Sequence, residues 1–334
     1  MFKANQILKN QKFDLIYFST TQFPVCILGA YWKKRFKIPY VIDMQDPWHS
    51  DYYQDKPKAQ QPPKYWFSYR LNKYLEPIAI KNVDGLISVS SAYIKTLKTR
   101  YPQISNIPST VITFGAFKKD FDIARDNQDF FKPLLQNDFI NIVYVGRGGN
   151  DMHHAIKPLF QAVKNGMNDD PLRFKKIRLH FIGTSYAPAG EGKPTILPLA
   201  RQYNIEDSVI EITDRISFYH TLLTLQNANA LFVPGSNDPK YTASKIYPYL
   251  LTNKSIISIL NKNSQAMAIM REYDVKHLYS YDDLDLSLKI DCFLNEVLDK
   301  QSPDIHYNLN AIDKYSAKNM TRHQCILFNK VVNE

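Results

Sequence analysis

Apolar residues come along this chain in short β-rich runs, separated by helical stretches and bounded by turn residues, as in parallel βαβ units. Residues 13–18 read as a buried strand, 24–36 as a helix, and 39–43 as a second strand ending at Asp46-Pro47-Trp48. Next come a helix over 65–80, a strand over 84–89 and a helix capped by Ser90 or Ser91 that runs to about Arg100. A strand over 109–114 closes this series. Between Lys118 and Asp138 the period breaks into a crowd of Asp, Asn and Arg, which places a domain boundary there. A fresh series opens with a strand over 139–145, and further strands are expected over 177–182, 209–212, 230–233 and 255–260. Helices over about 153–165, 196–203, 217–226 and 241–251 alternate with them, and the tail from about Leu284 is mainly helical. The pattern is α/β, with two doubly wound domains in tandem.

Composition narrows the classes. The 334 residues are 44% hydrophobic, enough for two ordinary cores. The longest uncharged apolar stretch, Phe23 to Trp32, is about half of what crosses a bilayer. The first residues lack the apolar core and cleavage site of a signal peptide. Three scattered cysteines indicate neither a disulfide framework nor a zinc site, so a reducing cytosol is the natural compartment. The net charge of +10 is uneven: residues 1–125 carry 19 Lys and Arg against 9 Asp and Glu, while the rest carry 23 of each. Such a basic segment suits an anionic membrane surface, a phosphorylated substrate or nucleic acid, or merely aids solubility. No nucleic-acid-binding signature accompanies it.

The chain has only 11 glycines, yet three of them fall in Gly146-Arg147-Gly148-Gly149, directly after a strand and before a helix. That is either a close-approach site for an anion, with Arg147 as a phosphate clamp, or an ordinary tight turn. It is neither G-x-G-x-x-G nor a P-loop. A second cluster, residues 234–245, joins a strand to a helix and puts Ser244 and Lys245 in that helix's first turn, as suits a diphosphate; the alternative is a solvated loop. Arg215 follows the strand over 209–212 and would face the same crevice. Asp43 and Asp46 lie at a strand's carboxyl end, suited to a general base, although Asp46 before Pro47 also fits a turn cap. His49, His153 and His154 have no partners at metal-ligand spacing, and Ser88, Ser90 and Ser91 form no hydrolase elbow. The aromatic run Tyr65, Trp66, Phe67 and Tyr69, with Lys64 and Arg70, reads first as a packing face and second as a membrane-docking one.

The order of these elements resembles the GT-B nucleotide-sugar glycosyltransferases, of the family 4-like, bacterial polysaccharide-building type. The carriers are Val143-Tyr144-Val145-Gly146-Arg147, Leu179-His180-Phe181-Ile182-Gly183, residues 228–234 and residues 244–257 in the second half. In the first half they are residues 40–48, with their Asp-Pro-Trp, and residues 84–90. The resemblance implies two Rossmann-like domains, the first (1–120) incomplete and acceptor-side, a linker (121–138), and a donor domain (139–310). A terminal helix (311–334) would pack back on the first domain.

It further implies a hexosyltransferase-like enzyme whose donor diphosphate lies against Gly146, Arg147, Gly148, Gly149, Arg215, Ser244 and Lys245, with Asp46 as the catalytic carboxylate. Basic side chains then stabilise the leaving group without a metal or other cofactor. The partners are a nucleotide-sugar donor, a lipid-linked or saccharide acceptor and an anionic membrane surface, with no nucleic acid. The place is the cytoplasm, peripherally at the inner face of the plasma membrane. Two departures stand out. Lys240 and Pro248 occupy the positions of the family's paired donor-site glutamates, and the glycine-rich strand-loop-helix that usually opens the first domain is missing before Phe13. They motivate the alternative of a non-catalytic sugar-nucleotide-binding or scaffolding relic.

Overall fold

A computed structural model describes residues 1–51, 53–237, 245–299 and 307–333. The chain opens with α1 (Phe2–Asn10), β1 (Ile16–Ser19), α2 (Ile27–Phe36), β2 (Tyr40–Met44), α3 (Tyr65–Ile80), β3 (Gly85–Ser88), α4 (Ser91–Arg100) and β4 (Ser109–Val111). It continues with α5 (Lys118–Asp126), β5 (Ile140–Val145), α6 (His153–Asp169), α7 (Pro171–Phe174), β6 (Ile177–Ile182), α8 (Leu197–Gln202), β7 (Val209–Ile212), α9 (Phe218–Asn227) and β8 (Ala230–Pro234). Last come α10 (Ile246–Leu251), β9 (Ser255–Leu260), α11 (Gln265–Glu272), β10 (His277–Ser280), α12 (Leu286–Leu298), α13 (Leu309–Lys314) and α14 (Ala317–Asn333). Two compact units result: residues 1–114 with 318–334, and residues 115–317.

The first unit holds a parallel sheet in the order β1-β2-β3-β4. Right-handed crossovers that always step the same way put α2, α3 and α4 on one face. Trp32, Tyr40, Ile42, Ala79, Ile80, Leu86 and Leu97 form the core there. The other face carries Tyr17, Val41, Ile87 and Ile112, and α14 covers it with Leu327, Phe328 and Val331. Gly85 permits that close seat, since a Cβ on it would stand 2.8 Å from Val331 Cγ2. Residues 1–114 thus leave one sheet face for a helix from far along the chain to cover.

The second unit holds a parallel sheet in the order β10-β9-β8-β5-β6-β7. The chain starts at the centre, walks out to β7, returns to β8 beside β5 and walks the other way. That reversal puts helices on both faces and opens a crevice where the two directions part. The parting is visible in the ladder: β5 and β8 pair only at Ile142 with Ala230 and Val143 with Leu231. Further on, the buried Tyr249 hydroxyl of α10 accepts from the Val145 N–H at 2.7 Å and donates to its carbonyl at 3.2 Å.

The stretch read as a linker is different. Its first part is α5, in the second unit, where Phe121 and Ala124 are buried against Leu222 of α9. The charged residues that hid this period are the helix's solvent side, which includes the Arg125–Asp122 pair. β4 ends at Val111 rather than 114, and α10 is described from Ile246.

Candidate functional site

The glycine turn after β5 has a packing explanation. The N–H groups of Gly146 and Gly148 donate to Ile182 and Thr184 carbonyls at 2.9 and 2.8 Å, so both are engaged within the fold. A Cβ on Gly146 would collide with the Tyr144 ring, and one on Gly148 would stand 2.6 Å from Thr195 Oγ1. Gly149 has φ +136°, a conformation that favours glycine. The side chains of this turn carry more chemistry than its amides.

Arg147 meets Asp151 with two bonds, Nη1 to Oδ1 at 3.0 Å and Nη2 to Oδ2 at 2.6 Å. Asp151 also accepts from Ser236 Oγ at 2.6 Å, and its carbonyl accepts from the Asn237 N–H at 3.0 Å. Tyr281 donates to the Ser236 carbonyl at 2.9 Å. Asp151 therefore ties the loop after β5 to the loop after β8, across the mouth of the switch point. Burial works to raise its pKa, but hydrogen bonds from Arg147 and Ser236 and the guanidinium charge hold it below the usual carboxylate range. Sequence reasoning missed Asp151; its i,i+4 spacing from Arg147 was the available signal.

Lys245 forms the N-cap of α10, beside the same mouth. Burial pushes its pKa down to about 8, and the charges of Arg215 and Arg147 push in the same direction. Both arginines singled out in the sequence thus act on Lys245. No acidic partner of Lys245 is found among the described residues. The Arg215 guanidinium stacks over the Tyr186 ring at 4.6 Å, and its backbone runs past Gly183, which has φ +75°. Ser244 and Lys240 lie outside the described residues. Pro248 sits third in α10. Glu211 was also missed. It accepts from the N–H groups of Thr195, Ile196 and Leu197 and from Thr184 Oγ1, between 2.7 and 3.0 Å, and so fastens the start of α8.

In the first unit Asp46 is exposed two residues past β2, ahead of Pro47, and the bulk of the protein around it still raises its pKa. Asp43, in register with Ser19, accepts from the Tyr17 hydroxyl at 2.7 Å. Burial raises its pKa and outweighs the hydrogen bonds that lower it. Burial and this carboxylate together push Tyr17 up to about 12. The loop that bears Asp46 is pinned from below, because buried Glu76 accepts from the His49 N–H at 3.0 Å, Arg100 Nη1 at 2.5 Å and the Tyr101 hydroxyl at 2.9 Å. The serines after β3 have structural jobs. Ser88 donates to the Met44 carbonyl at 2.9 Å, and Ser90 Oγ caps α4 through the Ala92 N–H. Among the described residues no His, Cys, Asp and Glu cluster could hold a metal ion, and no helix is long and apolar enough to cross a membrane.

No protein-family profile matches the chain, and no curated protein is detectably similar to it in sequence. Solved structures do match in fold. A UDP-forming α,α-trehalose-phosphate synthase from Burkholderia xenovorans aligns at TM-score 0.62 and 11% identity, over 98% of this chain and 76% of that one. Sucrose-phosphate synthase from Thermosynechococcus elongatus aligns at 0.58 and 16%, over 99% and 76%. HepE from Anabaena, solved in complex with UDP, aligns at 0.61 and 14%, over 98% and 81%. Identities this low speak for the fold alone, which is α/β with two parallel sheets, the GT-B fold class of these neighbours.

Proposed function

We propose that this protein is a glycosyltransferase that takes a sugar from a nucleoside diphosphate donor and passes it to a saccharide or lipid-linked acceptor at an anionic membrane surface. One observation carries the donor half. Lys245, beside the switch point of the second unit, has its charge disfavoured by burial, and the charges of Arg215 and Arg147 add to that. A diphosphate in that place relieves the mutual repulsion and offsets the cost of burying the ammonium. As the glycosidic bond breaks, negative charge grows on the departing diphosphate, and the same three cations stabilise it. The support from neighbours is that HepE was solved with UDP and that two of the synthases are named for glycosyl products. Asp46 is the acceptor-side carboxylate in this reading, with a raised pKa that suits proton exchange with a sugar hydroxyl.

The test is thermal unfolding with UDP, GDP and TDP, followed by release of nucleoside diphosphate from the matching sugar donors. One nucleotide should raise the melting temperature by mass action, and Arg147→Ala and Lys245→Ala should each shrink that shift. If both variants respond as the parent does to all three nucleotides, the phosphate site lies elsewhere. Pro248 favours a second reading: it cannot hydrogen-bond a ribose hydroxyl where the resembled family has a glutamate. Nucleotide binding without donor turnover would select that reading, a non-catalytic sugar-nucleotide-binding protein.

A further inference from the structure

The aromatic run that opens α3 divides in two. Tyr65 and Tyr69 are partly buried, with Tyr65 against Tyr53 and Tyr69 against His49. Trp66 and Phe67 stay out, 65% and 53% exposed, which corrects the first expectation of a packing face for that half of the run. Phe67, Leu71, Tyr74 and Ile78 continue along the helix at spacings of four, three and four, all of them exposed. That spacing makes one apolar stripe about 16 Å long, wet over its whole length. Lys64, Arg70, Lys73 and Lys81 flank it, exposed and with no acidic partner among the described residues. The helix's one acid, Glu76, is buried on the opposite side and paired with Arg100.

We infer that this face of α3 docks the protein on an anionic lipid surface. The apolar stripe enters the headgroup boundary, and the four cations lie at the level of the phosphates, with Arg70 already stacked 5.8 Å over Trp66. Charge selects lipid over a second copy of the chain, because a self-complementary contact would bring the same unpaired cations together. The first unit as a whole, with 19 Lys and Arg against 8 Asp and Glu, adds attraction at longer range. The inference rests on the membrane-surface part of the proposed function and needs no sugar donor.

The chain supplies its own probe. Of three tryptophans, Trp32 and Trp48 are buried at 8% and 4% exposure, so a change in accessible indole emission reports Trp66. The full chain, without nucleotide, is mixed with vesicles of equal parts phosphatidylglycerol and phosphatidylcholine, or of phosphatidylcholine alone. Anionic vesicles should shift the emission to the blue and allow quenching by brominated acyl chains; neutral ones should do neither. Leu71→Ser with Ile78→Ser, and separately Arg70→Gln with Lys73→Gln, should each cut vesicle sedimentation about tenfold. Retained hydrogen-exchange protection of β1 to β4 serves as the folding control, since the substituted residues lie in the first unit. Equal binding to neutral vesicles, an unquenched Trp66, or undiminished binding in both variants overturns the inference. So does a dimer that the Leu71→Ser and Ile78→Ser pair converts to monomer while vesicle binding is unchanged. Lost nucleotide binding with vesicle binding intact would sink the donor reading alone.

Discussion

The two sheets of this protein are wound by the same rule and covered by different means. The second sheet starts at its centre and reverses, so its own crossovers clothe both faces, and the reversal makes the crevice where Arg147, Asp151, Ser236 and Lys245 gather. The first sheet steps from β1 to β4 without turning back, so its crossovers clothe one face only. α14 closes the other face. Strand order alone therefore decides which unit is self-sufficient and which depends on residues more than 200 positions away.

The largest expected effect comes from breaking that dependence. Ending the chain at Ala317, or placing Asp at Leu327, strips or charges the cover over Val41 and Ile87. A buried unpaired carboxylate there costs roughly 3–5 kcal/mol, a large share of a domain's stability. Hydrogen exchange should show amides of β1 to β4 losing protection while β5 to β10 keep theirs. Uniform loss in both sheets, or none in either, would break the contrast.

Next in size is a trade between stability and binding at the second unit's crevice. Lys245 titrates near 8 in the fold against 10.5 in the open chain, so between those pH values the unfolded state holds the extra proton. Its burial thus costs stability below pH 8, by up to about 3 kcal/mol, and the cost fades as pH rises towards 10.5. Lys245→Met should raise the melting temperature at pH 7 and remove the nucleotide response. A variant both less stable and fully responsive would contradict this.

His180 gives a comparable effect of the same sign in a lower pH window. Buried between β5 and β7, it bonds Asn141 Oδ1 at 2.8 Å, and burial lowers its pKa to about 4. The unfolded chain takes up a proton near 6.5, so stability is full above that value and falls by up to about 3 kcal/mol as pH drops to 4. Urea midpoints at pH 7 and pH 5 should differ less in His180→Gln than in the parent. Smallest is the cap on α4: Ser90→Ala should cost about 1 kcal/mol, read as a lower urea midpoint with an unchanged slope.

Much of this was legible in the sequence because strands of parallel sheets, buried on both faces, carry unbroken apolar runs, as in Ile142 to Val145 and Ala230 to Val233. The Ser90 cap was readable for the same local reason, a serine ahead of a helical period. Arg147 and Arg215 stand out in the sequence by their place after strands. α5 was not found, because only Phe121 and Ala124 of its nine residues are buried. α11 and β10 were passed over at the chain's less regular end, although α11 buries Ala266, Met267, Ile269 and Met270 on one face. The Asp151 tie, the Glu211 clamp and the Glu76–Arg100 pair join residues whose neighbourhood only the fold creates. The exposure of Trp66 and Phe67 was invisible for the converse reason, since a packing face and a docking face have the same period.

A diphosphate bound beside Lys245 would be reported directly by the lysine's proton. Calorimetric titration with the stabilising nucleotide at about pH 8.5, in two buffers of different ionisation enthalpy, measures protons exchanged on binding. With a free pKa near 8, the parent should take up a fraction of a proton, its affinity should weaken as pH rises above 8, and Lys245→Met should lose the uptake. Tight binding with no proton uptake in the parent, or the same uptake in Lys245→Met, would place the diphosphate away from Lys245.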